Sequence, residues 1–307
     1  SSQLENVNDS YGPQWTGAKL LGGTSMFTFQ SACAFQSFAK LRLGAAILES
    51  PSAGLNAAER GMLVHEVLRR LWSEFGDQQT LAETPPETVE AVIHDEVRAA
   101  ILEMAKSKAA LRDERYAAIE QLRLERLMRE WLELEKARKP FIVLPPEEQR
   151  EVQFGDIAFR VKADRIDRLA DGSHIILDYK TSPHTPKAWE GPRLDEPQLP
   201  LYAVTSGLPL AGLAFGVVQP GSIRFAGLSD QEGILPGIRL ATEEKSLSNQ
   251  LPVWHAVLEQ LAADFRRGHA AVNPANSQIC AYCKMQTLCR ITDSGAAIEV
   301  TVEDSDD

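Results

Sequence analysis

Several features typical of membrane, secreted and nucleic-acid-coating proteins are missing from this chain of 307 residues. No apolar run is long enough to cross a bilayer, and no charged-then-apolar segment marks a secretory signal. The chain has only four cysteines and a net charge of −11. These absences exclude a transmembrane helix, argue against a disulfide framework and exclude a uniformly basic coat for nucleic acid. We expect a cytoplasmic protein with no membrane partner.

The most informative stretch runs from residue 161 to residue 182 and predicts a β-hairpin. Its centre, Ala170-Asp171-Gly172-Ser173, is a cluster of turn residues between two strand-like runs. Asp164 and Asp178 lie seven residues before and after Asp171, so the hairpin places them opposite each other on neighbouring strands. Directly opposed side chains lie about 4.5–5.5 Å apart at Cβ, where like charges repel. Such a pair favours a cation between the two carboxylates.

Lys180 is expected to share a face with Asp178, because side chains two residues apart in a strand point the same way. Asp178 also follows an apolar run, Ile175 to Leu177, that is typical of a buried strand. A buried aspartate needs a partner or a metal. Solvated surface charges are the alternative, but the pattern favours a site for a hard divalent metal and a water.

Four motifs along the chain resemble those of the PD-(D/E)XK nuclease superfamily, in its RecB-like branch. They are a GxxxH helix, an aspartate-bearing strand, a DxK strand and a QxxxY helix, present here as Gly61 to His65, Asp164 to Asp167, Asp178 to Thr181 and Gln198 to Tyr202. One departure is Val161, which stands where this branch often has a glycine. The departure removes no metal ligand.

This resemblance implies an α/β fold, with a central mixed β-sheet flanked by helices (a restriction-endonuclease-like core) and a helical insertion. It implies Mg²⁺ or Mn²⁺ held by His65, Asp164, Asp178 and the backbone carbonyl of Tyr179, with Asp164, Asp178 and Lys180 as catalytic residues. Gln198 and Tyr202 would support the site or the DNA, and Glu151 is a weaker candidate for a further ligand.

The helix that carries His65 is predicted over Ala57–Phe75. Gly61, His65, Leu68 and Trp72 recur on one face of it, so on periodicity alone His65 is a core histidine satisfied by a carbonyl. Only the resemblance makes it a metal ligand. Gly61, one turn earlier, is expected to leave this face bare so that another element can approach.

The four cysteines are Cys33, Cys280, Cys283 and Cys289, and the last three form a C-x2-C-x5-C pattern. Two-residue spacing lets thiolates share one metal centre, and this interpretation outweighs disulfides or free thiols. Spacing alone leaves zinc and iron–sulfur open. Resemblance to AddB-type nuclease domains implies a 4Fe–4S cluster that ties the N-terminal segment to the C-terminal loop, with structural Zn²⁺ as the alternative.

We expect five segments: an N-terminal arm with the first cysteine (1–56), the motif helix and helical insertion (57–146), the sheet core (147–245), a C-terminal helix and cysteine loop (246–290), and a disordered acidic tail (291–307). The elements predicted within them are a helix within 25–43, a loop over 77–86, two helices within 87–138, strands over 151–154, 157–169, 212–218 and 222–228, and helices over 196–205 and 246–267.

The function that the resemblance implies is a metal-dependent DNA nuclease, with exonuclease action favoured, in DNA repair or recombination. The chain contains no GxxxxGK[ST] run, so a helicase would come from a partner subunit or another part of a larger protein. Because the chain begins with Ser1-Ser2 rather than methionine, we expect it to be a domain of such a protein. The alternative is a catalytically inactive DNA-binding or scaffold domain held together by the iron–sulfur or zinc site.

Overall fold

The computed structural model describes residues 9–17, 23–47, 53–145, 150–154 and 157–291. The predicted acidic tail, beyond residue 291, and the predicted turn at 155–156 lie outside these described residues. Within the described residues, seven strands form two sheets: β1 (Phe141–Val143), β2 (Arg150–Phe154), β3 (Ile157–Val161), β4 (Arg165–Leu169), β5 (His174–Lys180), β6 (Leu210–Gln219) and β7 (Ser222–Ser229).

The main sheet is mixed and five-stranded, with the order β1-β4-β5-β6-β7. Strands β5 and β6 are parallel, and the other neighbouring pairs are antiparallel. Strands β2 and β3 form a separate antiparallel pair. The predicted mixed sheet is therefore confirmed.

The ten α-helices in the described ranges are α1 (Ser25–Ala32), α2 (Ala34–Leu41), α3 (Ala57–Phe75), α4 (Gln78–Glu83), α5 (Pro86–Ala105), α6 (Glu114–Lys136), α7 (Gln198–Ser206), α8 (Leu247–Arg266), α9 (Ser277–Cys283) and α10 (Gln286–Cys289). Short 3₁₀ turns precede α6, α7 and α8. None of these helices combines the length and the apolar character that a bilayer-spanning segment requires.

Helix α3 has the bounds that its sequence predicts. Asn56 caps it by accepting a hydrogen bond from the Glu59 backbone N–H, and the Glu59 side chain accepts one from the Asn56 backbone. This reciprocal pair satisfies two of the donors that a helix start leaves without partners. The helix end is marked by Gly76, whose positive φ of 71° favours glycine.

Helices cover both faces of the sheet. On one face, α3, α5 and α6 pack against alternate β5 residues, including Ile175, Leu177 and Tyr179. On the other face, Ile176 packs in a second cluster with residues of α1, α7, α8 and the β2–β3 pair. The predicted helical insertion therefore does pack over the sheet, with Trp131 of α6 edge-on to Tyr179.

Four sequence-based expectations about elements were wrong. The predicted helix within 25–43 is broken at Cys33, which is extended. The predicted loop over 77–86 contains α4, because Asp77 caps a turn that Leu81 anchors in the core. Strand β1 was not predicted; it is three residues long and is held by pairing with β4. The predicted strand over 157–169 is interrupted at residues 162–164, because β3 and β4 belong to different sheets.

The described residues before α1 lie along the end of α8 and the segment after it. Backbone N–H groups of Gly12 and Trp15 donate to the carbonyls of Gly268 and Arg266, at 2.8 and 2.7 Å. Further along, the Ala275 N–H donates to the Ala32 carbonyl at 2.8 Å. Hydrogen bonds of the backbone therefore join the two ends of the described chain.

A cluster of four buried charges joins the insertion to the sheet. The Arg165 guanidinium donates to Glu135 at 2.6 Å and to Asp167 at 2.6 and 2.9 Å. Arg138 donates to Glu135 at 2.7 Å and lies 2.8 Å from Asp167. The four side chains are at most 2% exposed. Two arginines and two carboxylates balance each other, which such burial requires.

Glu135→Ala tests whether this cluster stabilises the fold. Removing one carboxylate leaves two buried guanidinium groups sharing Asp167, so we expect the free energy of unfolding to fall by about 3–5 kcal/mol. Glu90→Ala is the matched control, because Glu90 forms a similar two-bonded pair with Arg129 that is half exposed. It should cost no more than about 1 kcal/mol. Urea unfolding followed by circular dichroism measures both, and equal losses would contradict the expectation.

Candidate functional site

The β4–β5 hairpin has the register that its turn predicts. Arg165 pairs with Leu177 and Arg168 with His174, and the Leu169 N–H closes the turn by donating to the Ser173 carbonyl at 2.8 Å. Continued by one residue, this register sets Asp164 against Asp178. Asp164 itself lies just before β4 begins. The structure therefore brings the two predicted carboxylates to the same end of the hairpin.

Asp164 is held by His65 and by the backbone N–H of Tyr179, two residues expected to share a metal with it. Its Oδ2 accepts the Tyr179 backbone N–H at 2.9 Å and lies 3.2 Å from His65 Nδ1. Burial raises the pKa of the Asp164 carboxyl, but the bond with His65, its charge and the Tyr179 N–H outweigh burial, and the net pKa is lowered. Asp164 is therefore ionised in this environment.

His65 does not point into the core as its periodicity predicts. Its side chain is 37% exposed and lies at the edge of the buried face of α3. Burial lowers the pKa of the imidazole, but the Asp164 bond, the charges of Asp164 and Asp178, and a hydrogen bond to the Tyr179 backbone raise it above the usual value. The histidine therefore contacts both Asp164 and the backbone of Tyr179.

Asp178 is buried, and of the two acids it is the one whose ionised form is disfavoured. Its side chain is 1% exposed, and burial together with the charge of Asp164 raises its pKa to about 6. The Lys180 ammonium ion-pairs with its Oδ2 at 2.9 Å, which confirms that the two side chains share a face. In the described part of the chain, Oδ2 accepts no well-directed hydrogen bond.

Sequence reasoning missed two residues on the far side of Lys180. Glu196 Oε2 lies 3.8 Å from the ammonium, and Glu196 Oε1 lies 3.4 Å from His184 Nε2. Burial raises the pKa of the Glu196 carboxyl, but His184 and Lys180 lower it by more. The net pKa is below the usual value, so Glu196 is ionised. In the sequence, the only indication that Glu196 borders the site was its position two residues before Gln198. The ammonium is thus set between two carboxylates.

Gln198 and Tyr202 share a face of α7 as predicted, and Gln198 Nε2 donates to Tyr202 Oη at 3.0 Å. Burial, with the charges of Asp178 and Asp164 added, raises the pKa of Tyr202 to about 12 despite its hydrogen bonds to Gln198 and Thr24. The influence of both acids on this phenol indicates that the helix borders the site. Glu151 is exposed on β2, opposite Arg160, and its assignment as a ligand stays a prediction.

The donors at this end of the hairpin suit a hard cation. They are two carboxylates and a peptide carbonyl, which Mg²⁺ prefers, with an imidazole that Mn²⁺ accepts more readily. The buried Asp178 Oδ2, which accepts no directed hydrogen bond, also suits cation binding. Within the described ranges, no three His, Cys, Asp or Glu side chains converge closely enough to hold a metal by themselves.

The four cysteines come together from both ends of the chain. Cys33 lies between α1 and α2, while Cys280, Cys283 and Cys289 lie in α9 and α10. Burial raises the pKa of the Cys280 thiol, and Cys33, Cys289 and Cys283 add to this effect. Such mutual influence requires proximity. Like the acids, the thiols do not form a closed metal cage in the described residues.

When a chelator removes divalent ions, neutralising Asp178 and neutralising Asp164 should change the free energy of unfolding in opposite directions. Asp178→Asn removes a buried charge that faces a second carboxylate, so we expect it to raise the free energy of unfolding by about 1 kcal/mol. Asp164→Asn weakens charge-assisted hydrogen bonds and should lower the free energy by about 1–2 kcal/mol. Urea unfolding in chelator measures both. Changes of the same sign would contradict this description of the site.

Comparisons with known proteins agree with the geometry at the level of the superfamily. No curated protein gives a significant match. A solved structure titled "Crystal structure of SSO0001" aligns with 83% of this chain and 93% of its own, at 16% identity and a TM-score of 0.30, too low to support an argument. A family model described as the PD-(D/E)XK nuclease superfamily matches residues 25–290. The chain therefore belongs to the PD-(D/E)XK nuclease superfamily.

Proposed function

We propose that this protein is a divalent-metal-dependent nuclease that hydrolyses phosphodiester bonds of DNA. The observation that supports it best is the meeting of Asp164, Asp178, Lys180 and His65 at one end of the β4–β5 hairpin. Catalytic groups of this kind occur where burial and like charges shift pKa values, as they do for Asp178. Membership of the superfamily adds to this support.

In this proposal, Asp164, Asp178, the Tyr179 carbonyl and His65 hold Mg²⁺ or Mn²⁺. A divalent ion supplies Lewis acidity, which polarises a phosphoryl oxygen and makes water acidic enough to be a nucleophile near neutral pH. The residues of the chain fix the geometry: His65 and the Tyr179 N–H orient the Asp164 carboxylate, and Lys180 orients the Asp178 carboxylate.

Lys180 is the residue proposed to act on the reacting phosphate. Asp178 at 2.9 Å and Glu196 at 3.8 Å hold its ammonium, and both raise the pKa of the lysine above its usual value although burial lowers it. The lysine thus keeps its proton. A fixed cation stabilises the negative charge that develops on the phosphoryl oxygens and orients the attacking water. Tyr202 and Gln198 support the site from α7.

Exonuclease action in DNA repair or recombination, and association with a helicase subunit or domain, are finer parts of the proposal. They rest on the resemblance of the four motifs to the RecB-like branch. The observed proximity of all four motifs to one site is consistent with that resemblance, because Gly61, His65, Asp164, Asp178 and the α7 pair surround the same hairpin end.

We also propose that the four cysteines hold a 4Fe–4S cluster with a structural role. Thiolates are soft ligands that suit iron–sulfur clusters and zinc. Cys33 lies between α1 and α2, and Cys280 lies after α8. Backbone hydrogen bonds already join these two parts of the chain. Four ligands from both ends would strengthen this junction, and Zn²⁺ at the same thiols is the alternative.

Asp178→Ala should abolish DNA cleavage. In the presence of Mn²⁺ or Mg²⁺, we expect wild type to degrade DNA and the variant to lose at least about 100-fold in rate, because a buried acid that fixes both cation and lysine is gone. Asp171→Ala, in the exposed turn of the same hairpin, is the matched control and should cleave at about the wild-type rate. Gel assays on labelled DNA measure the rates.

The same assay separates the alternatives. Degradation of linear DNA with survival of closed circular DNA supports exonuclease action, and loss of both supports endonuclease action. DNA binding by wild type without cleavage in either metal would contradict the nuclease proposal and favour a scaffold. Equal cleavage by wild type and Asp178→Ala would place the chemistry elsewhere.

Cys33→Ser tests the cluster without using activity. Protein purified without oxygen is expected to be brown and to contain iron and sulfide, while the variant loses both and unfolds at a lower temperature, since metal binding contributes to folding. Metal analysis and thermal unfolding measure these properties. A colourless wild type that contains zinc would support the alternative, and a wild type without metal would contradict both.

A further inference from the structure

Gly61 occupies a position where the protein's own packing does not require glycine. It lies inside helix α3 with no positive φ, and a glycine in a helix interior is unfavourable relative to alanine. Sequence analysis predicts that another element approaches it. In the structure, however, an added Cβ would lie 3.5 Å from Thr181 Oγ1, its nearest described neighbour, which is an ordinary contact.

Other glycines in the chain show what a packing requirement looks like. A Cβ on Gly227 would meet the Leu213 carbonyl oxygen at 2.2 Å, and one on Gly216 would meet the Trp131 ring at 2.8 Å. Those residues cannot be enlarged without moving the sheet or the insertion. Gly61 is not constrained in this way, so the space above it is left for something outside the described chain.

That space is a groove beside the candidate site. The groove has a volume of about 730 Å³, within the range of pockets that hold ligands, and Gly61, Met62, His65, Met104, Lys162 and Asp164 are among the residues that line it. Asp164 also borders a second cavity of about 320 Å³. Arg69 and Asp164 border both spaces. A chain-like substrate centred on Asp164 would therefore extend over Gly61.

The lining of the groove suits a nucleic-acid strand. Met62 is 61% exposed, and thioethers such as those of Met62 and Met104 make favourable contacts with aromatic rings, which here would be bases. Lys162, exposed two residues before Asp164, offers a cation to phosphates.

Besides Asp164, two carboxylates line this groove, and both are paired with cations. Glu66 accepts hydrogen bonds from Arg69 and Arg70, and Glu103 pairs with Lys106. Their charges are therefore partly compensated. The groove combines an apolar wall with the Lys162 cation near the site, which suits a strand of bases and phosphates.

We propose that the bare helix surface at Gly61 seats the nucleotide next to the scissile phosphate, so that Gly61 is a specificity-determining residue. The inference rests on the proposed function and deepens it. In this arrangement the sugar–phosphate backbone passes where a Cβ of residue 61 would lie, and the adjacent base packs against Met62 and Met104. A side chain at position 61 then excludes the strand without disturbing the fold or the catalytic groups.

The test measures DNA binding in a background that cannot cleave. Lys180→Ala and Lys180→Ala with Gly61→Leu are titrated against a fluorescent oligonucleotide in Mn²⁺, and we expect the added leucine to weaken binding at least tenfold. Gly61→Ala should weaken it less. The Gly61→Leu and Gly61→Ala variants should each unfold at a urea concentration no lower than that of their parent, because each substitution removes a glycine from a helix. Ala57→Leu, on the exposed start of the same helix and outside the groove, is the matched control and should bind like the parent.

Each outcome decides the inference separately from the nuclease proposal. Unchanged binding by Gly61→Leu, or unfolding of Gly61→Ala at lower urea than its parent, would overturn the proposed role of Gly61. Neither result would contradict the nuclease proposal. Weakened binding combined with a wild-type enzyme that cleaves no DNA would support the groove and overturn the nuclease proposal. An absence of DNA binding by wild type and by the Lys180→Ala parent alike would overturn both.

Discussion

One guanidinium connects the elements that position Asp164, Asp178 and His65. Arg165 binds Glu135 of α6, Asp167 of β4 and the Tyr179 hydroxyl of β5, and its guanidinium lies 3.8 Å from the centre of the Trp72 ring of α3. It immediately follows Asp164, and Tyr179 immediately follows Asp178. The planar fork of an arginine, with five donors, can make this many directed contacts, and a lysine cannot. The relative positions of the two acids and of the His65 helix therefore depend on one buried side chain.

The electrostatics of the site follow from this arrangement. The buried cluster below is neutral, so it does not offset the charges of Asp164, Asp178 and Glu196 above it. Lys180, His65 and His184 pair with these acids, yet burial and the charge of Asp164 still raise the pKa of Asp178. A fold that holds two acids facing each other at low solvent exposure is set up for a divalent cation. The superfamily to which the chain belongs is one of nucleases, which agrees with this need.

The hairpin and its facing acids could be predicted because turn residues and a period of two fix a register locally. The bounds of α3 followed from its cap and its apolar repeat. The interruption before Asp164 could not be predicted, because it arises where β3 leaves one sheet and β4 enters another. Glu135 and Arg138 look like solvated helix charges in the sequence, and only tertiary packing buries them. Glu196 and His184 meet Lys180 through a loop whose course no local pattern specifies.

The parallel pairing of β5 with β6 has a consequence for how this site can change. A parallel neighbour obliges the chain to cross back over the sheet, and the crossing starts where β5 ends, at Lys180. The excursion of 29 residues between Lys180 and Leu210 carries His184, Glu196 and α7 past the acids before the sheet resumes. Lengthening or shortening this excursion would alter what surrounds the lysine while every strand kept its partner. Sequence changes can therefore accumulate around the candidate site while the sheet keeps its pairing.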